Sequence, residues 1–153
     1  MSDYRINLGK AWPEGYKAMF AFSAATRGDL DPILRELVKV RASQLNGCAY
    51  CLDMHTKDAR AAGETEQRLY ALNAWRETTF FTDAERAALA LTEALTLLDR
   101  GHVSDEVVEE ARRHFDEPTL AKLVMAIVAI NAWNRLMTVQ RPPVGDYQPG
   151  GPR

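Results

Sequence analysis

No stretch of these 153 residues reaches the roughly 20 consecutive apolar residues that cross a bilayer, so a membrane protein is not expected. The start, Met1-Ser2-Asp3-Tyr4-Arg5, carries no apolar core of signal-peptide length, and export is not expected either. A basic excess is missing: 19 Lys and Arg stand against 21 Asp and Glu, a net charge of −2. Without a cationic stripe to neutralise phosphates, nucleic acid is not an expected partner. Cysteine is scarce as well. Two residues close one short loop, so the fold cannot rest on a disulfide framework. In the reducing cytoplasm where this chain is expected, a close cysteine pair is more often catalytic or metal-binding than a permanent staple. Sustained two-residue alternation bounded by turn residues is absent too, which excludes convincing strands and makes the fold class all-α.

What is there is an ordinary globular composition, 46% hydrophobic and 26% charged. That suits one domain over residues 1–153, burying roughly two-thirds of the surface of its unfolded chain. Residues 1–11 read as an N-terminal arm. Pro13 opens a helix over 13–26 that Gly28 breaks. Asp31-Pro32 supplies an N-cap and first helical residue for 32–45, and Asn46-Gly47 provides its left-handed stop. Helical spacing predicts 48–62 and 65–76. Thr82 and Glu85 form a capping box opening 83–100, Ser104 caps 105–115, and Pro118 opens 118–140. Residues 144–153 are expected to be a flexible tail. Leu120 to Ile130 is apolar on nearly every side, which predicts burial all round and a homo-oligomer that covers part of this helix.

The chemistry concentrates in Cys48-Ala49-Tyr50-Cys51-Leu52-Asp53-Met54-His55, which holds both cysteines and one of three histidines. At the start of a helix, unpaired amides and the macrodipole favour a thiolate. Cys51 and His55 are four apart, so their Cβ atoms stand about 5–6 Å from one another, whereas Cys48 and His55 are about 10 Å apart along the axis. The imidazole serves Cys51 first. Glu36, on the preceding helix, suits a carboxylate that orients this base, or else is a solvated glutamate beside Arg35 and Lys39.

Glu36, eleven residues, Cys48-x-x-Cys51, three residues and His55 together resemble the core signature of the AhpD-like alkylhydroperoxidases of the carboxymuconolactone decarboxylase superfamily. Ile130-Asn131-Ala132-Trp133-Asn134-Arg135 is similar to a stretch common in that group. The close match runs from about Asp31 to Gly63. The resemblance implies an all-helical trimer or hexamer that reduces hydroperoxides by thiol chemistry without a cofactor. It casts Cys51 as the thiol that attacks peroxide and Cys48 as the one that resolves the sulfenic acid to a disulfide. Glu36 and His55 relay the proton, and an external dithiol reductant resets the pair. At Tyr50 the well-studied members carry a second histidine. A phenol that ionises near pH 10 is no base at neutrality, so Tyr50 positions peroxide or water, or this branch turns its dithiol on other substrates.

Competing readings are two buried structural thiols, a redox sensor, or a metal-binding oligomer. A zinc site from Cys48, Cys51 and His55 lacks a fourth ligand, so no metal is expected. Lactone decarboxylation, the superfamily's other activity, does not use the cysteine pair. His102 and His114 suit the surface or a helix end, and Trp12, Trp75 and Trp133 suit packing. Asn131 and Asn134 are odd in so apolar a helix; a subunit interface and the cysteine pocket are both open to them.

Overall fold

The computed structural model describes residues 4–151. Among them lie eight α-helices and no strand: α1 (Leu8–Ala11), α2 (Pro13–Ala25), α3 (Pro32–Asn46), α4 (Ala49–Ala61), α5 (Glu66–Ala71), α6 (Asp83–Thr96), α7 (Asp105–His114) and α8 (Glu117–Gln140). The all-α class read from the sequence is the observed one.

The start signals act as their chemistry dictates. Asp31 accepts the Leu34 amide at 2.7 Å to open α3. Thr82 and Glu85 close a reciprocal capping box on α6, and Ser104 accepts the Val107 amide on α7. Gly47 ends α3 at φ 63°, a conformation that costs a side-chain-bearing residue energy, and this tight stop folds α4 back along α3.

Helix α3 is the centre of the bundle and packs against α4, α6 and α8. Its Leu34 and Val38 join Leu91, Leu123 and Ile127 in one apolar cluster, while Leu37 and Val40 join Leu69, Leu72 and Leu89 in another. Each such side chain contributes roughly 1.5–3 kcal/mol of burial. That supply is what lets α3 carry a charged group inward at Glu36. A third, smaller cluster of Ala42, Cys48, Cys51, Ile130 and Met137 surrounds the thiols.

Four expectations need correction. The 65–76 helix is two pieces, α5 and a 3₁₀ segment Leu72–Glu77, with Ala74 outside helical geometry. The kink turns Trp75 into the core, where its indole N–H donates to Glu93 at 2.8 Å and Arg86 takes its carbonyl at 2.9 Å. The 83–100 helix stops at Thr96. Thr96 is held inside by Asn131, whereas Leu98 is 61% exposed and has no core to continue into, so Leu98–Arg100 forms a 3₁₀ turn.

The 1–11 arm contains α1. Asn7 caps it through Lys10, and Gln140 at the end of α8 binds Arg5 and Leu8 amides with its carbonyl and side chain. Residues 1–3 of the arm lie outside the described residues. The 144–153 tail is not loose over its first part. Lys57 reaches the carbonyls of Gly145 and Tyr147 at 2.8 and 3.0 Å, and the Tyr147 hydroxyl donates to Asp58 at 2.7 Å. Residues 152–153 lie outside the described residues.

Within this one chain the burial of α8 is one-sided. By length and composition it is long and apolar enough to cross a membrane, yet Leu123, Ala126, Ile127 and Ile130 are packed in the core. Its outward stripe of Met125, Val128 and Val139 is 43–50% exposed.

Candidate active site

Cys48 is the N-cap of α4, with extended backbone, and Cys51 is the third residue of the helix. Both are free and buried, at 1% and 3% exposure. Each thiol shifts the other's ionisation, so they titrate as a pair. The Cys48 pKa falls to about 7 because the Cys51 thiol donates to it; burial opposes this, and the amides of Cys51 and Tyr50 and the Asn134 side chain add to it. The Tyr50 and Cys51 amides act on it at the helix N-terminus without forming a conventional capping bond. The Cys51 pKa rises because that thiol holds the shared proton and because burial and the neighbouring thiolate penalise a second charge.

Helices α2, α3, α4 and α8 enclose a cavity of about 170 Å³ against this pair. Cys51 forms part of its wall and Cys48 does not. The first charge thus rests on the inner sulfur while access belongs to the outer one. A proton that moves across the S–H···S contact from Cys51 to Cys48 brings the thiolate to the cavity.

His55, one turn beyond Cys51, also reaches the wall. Its Nδ1 lies 2.8 Å from Glu36 Oε2. Glu36 is 4% exposed, so the solvated-glutamate alternative does not hold. Burial works to raise the Glu36 pKa, but the His55 hydrogen bond, the His55 charge, Lys39 and Arg35 outweigh it and set it at about 2. Burial holds the His55 pKa below its ordinary value, more than Glu36 raises it. At neutral pH the pair is carboxylate and neutral imidazole. Nδ1 then carries the proton given to Glu36, and Nε2 is left as the basic nitrogen. Among the described residues Cys51 makes no direct hydrogen bond to His55. The close pairing expected from a four-residue spacing is replaced by a shared cavity, through which a bound molecule can connect the two.

Tyr50 lines the same cavity, and burial raises its pKa, so its hydroxyl is a donor at neutrality. Glu36, His55 and Asp58 also bring ligand atoms within 4.8 Å of one another. Lys39 Nζ sits 3.7 Å from Glu36 Oε1 and already supplies the positive charge that a metal ion would bring. The trio is better suited to holding protons than a cation.

The family model described as carboxymuconolactone decarboxylase matches residues 13–94, which spans α2 to α6 and all four of Glu36, Cys48, Cys51 and His55. The chain belongs to the carboxymuconolactone decarboxylase family. The chain is also 46% identical over 133 residues to the uncharacterised protein YdfG of Bacillus subtilis, covering 86% of this chain and 90% of that one. Among solved structures it is similar to a protein of unknown function from Agrobacterium tumefaciens whose description proposes an AhpD antioxidant-defence role. That match has a TM-score of 0.89 and 37% identity, covering 94% of this chain and 99% of the other. An AhpD-core protein from Ralstonia eutropha shares the fold at a TM-score of 0.78 and 20% identity, over 90% and 74%. The chain is an AhpD-like member of the superfamily.

One site residue of this family member was not assigned by sequence. Asn134 on α8 is fully buried, and its carbonyl accepts from Asn46 at 2.9 Å. That fixes its amide toward Ser43, at 3.0 Å, and toward both sulfurs. Asn131 instead bonds Asn46 and Thr96 and buttresses the array. The only signal was a polar side chain inside an apolar helix. Replacing Asn134 by leucine removes a donor to the thiolate, so the first thiol titration should move up from about 7 toward the ordinary value of about 8.5. Thiolate absorbance at 240 nm against pH reads this directly, and an unchanged midpoint would remove Asn134 from the site.

Proposed function

We propose that this chain is a cytoplasmic dithiol peroxidase that reduces organic hydroperoxides. The observation that carries the reading is the cavity-facing Cys51, coupled in its ionisation to Cys48 behind it and sharing the cavity with the His55–Glu36 pair. Cys51 thiolate attacks the outer peroxide oxygen, the O–O bond breaks, and the departing alkoxide takes a proton to leave as alcohol. Cys51 is then a sulfenic acid. Cys48 attacks that sulfur, the S–O bond breaks, and water leaves as the disulfide forms. Two thiol electron equivalents are consumed per peroxide, and an external dithiol restores them by exchange. Neutral His55, oriented by Glu36, accepts at Nε2 the proton that the Cys48 thiol gives up and passes it through the bound oxygen atoms to the alkoxide, so the alcohol leaves and Cys48 is again a thiolate. The Tyr50 hydroxyl, on the same cavity wall, donates to the peroxide.

The exposed stripe on α8 supports a homo-oligomer as part of the same reading; a monomer mass in sedimentation would count against it. Stopped-flow mixing of reduced protein with an alkyl hydroperoxide and with hydrogen peroxide tests the chemistry. Thiol loss should exceed that of free cysteine at pH 7 by at least about 10²-fold, the scale of general acid–base assistance. A rate equal to that of free cysteine removes peroxidase chemistry from the reading.

A further inference from the structure

Hydrogen peroxide has two heavy atoms, and the cavity is far larger than it needs. Its volume is about 170 Å³, where ~150 Å³ suffices to hold a benzene ring. One wall is aromatic: Tyr16, Phe20 and Trp133 meet edge to face, with ring centroids 4.9–5.7 Å apart. Such a wall offers ring edges and faces to a flat apolar guest. It is built by α2 and α8 and lies outside the motif that places the thiols.

The charges on the wall have one sign. Its lining includes Arg27 and Lys39 and no Asp or Glu, and His55 is neutral. Lys39 is 9% exposed and shares the Glu36 carboxylate with Arg35 and His55. The Glu36 carboxylate thus faces two full cations and an imidazole N–H, and the Asp58 carboxylate stands beside it, the ligand atoms of Glu36, His55 and Asp58 lying within 4.8 Å of one another. Arg27, just beyond the end of α2, is exposed and has no carboxylate partner among the described residues. A guanidinium left unpaired at the edge of an aromatic cavity, with an ammonium further along the same wall, is a receptor for a carboxylate carried on a ring.

We propose that the cavity binds a ring-bearing organic acid, its apolar body against Tyr16, Phe20 and Trp133 and its carboxylate toward Arg27 and Lys39. Resting on the peroxidase reading, the physiological substrate is then a hydroperoxide of such an acid, with the O–O group directed to Cys51. The acidic group is the specificity element. The peroxide bond alone gives the cavity little to select.

The binding part is separable from the chemistry. Calorimetric titration of wild-type protein with 4-isopropylbenzoate, which cannot react, should give about tenfold tighter binding than with neutral 4-isopropylbenzamide, the scale of a charge-assisted hydrogen bond. Arg27→Gln should lose most of that preference and Arg27→Lys should keep much of it. Equal binding of acid and amide, binding of neither, or a preference that survives Arg27→Gln overturns the site. In the second arm, cumene hydroperoxide and its 4-carboxy analogue are compared as substrates, and kcat/KM should favour the acid about tenfold. An acid preference in calorimetry with no consumption of either peroxide leaves the site standing and sinks the peroxidase reading alone. Consumption of both peroxides at equal kcat/KM overturns the assignment of substrate class.

Discussion

Protein in which Cys51 is serine should consume hydroperoxide no faster than a thiol-free control, a loss of at least about 10⁴-fold, as when one member of a concerted nucleophile–base unit is removed. The Cys48→Ser protein should behave differently. It should react once, stop, and carry a sulfenic acid on Cys51 that dimedone traps and mass spectrometry locates. Its single turnover should also be slower than wild type near pH 7. The inner thiolate, with a pKa of about 7, is what accepts the Cys51 proton, and serine cannot do so. Mass spectra that place the sulfenic acid on Cys48 in the Cys51→Ser protein would exchange the two roles. Full turnover by the Cys51→Ser variant would end the proposal.

The second large effect is expected at Glu36. Glutamine keeps the shape but removes the charge, so His55 loses the partner that fixes its tautomer and Lys39 loses its counter-ion. Turnover should fall by about 10²–10⁴-fold, the range of general acid–base assistance. Stability at pH 7 should fall by roughly 3–5 kcal/mol, as when one partner of a buried pair is removed.

The pH dependence separates this from simple misfolding. Glu36 goes from an ordinary value of 4.5 to about 2 on folding, so its contribution is full above 4.5 and is lost as pH falls toward 2. His55 has a lowered folded pKa, so between that value and 6.5 the unfolded chain binds a proton that the native one refuses. That too removes stability as pH falls, and the two slopes add. In Glu36→Gln the first slope is gone. Urea unfolding at pH 7, 5 and 3 should show the gap between wild type and variant narrowing by about 1.4 kcal/mol per pH unit below 4.5. A gap that stays constant with pH would mean that the carboxylate charge is not what the fold uses.

These two positions also show how differently parts of the site could be read. Glu36 was visible by its distance from the cysteines, and its inward orientation followed only from α3 lying against α4. Asn134 is 91 residues from Ser43 and 86 from Cys48, and no local pattern connects them. The Ala74 kink has the same origin: nothing between Glu66 and Glu77 breaks a helix, and the turn is imposed by the burial of Trp75 against Glu93.

By itself the sequence determined what short-range physics controls. Hydrophobic spacing of three and four set the helices, side-chain caps and left-handed glycines set their ends, and Cys-x-x-Cys at a helix start with His55 one turn later set the reactive group. Each depends on residues within about one or two turns, which is the reach of caps and i, i+4 contacts. Only the tertiary structure decided which sulfur faces the cavity, where Glu36 and Asn134 point, that the C-terminal tail docks on α4, and that the cavity wall is aromatic and cationic. Those features arise where helices distant in sequence meet, and the packing of α3 against α4 and α8 brings them together.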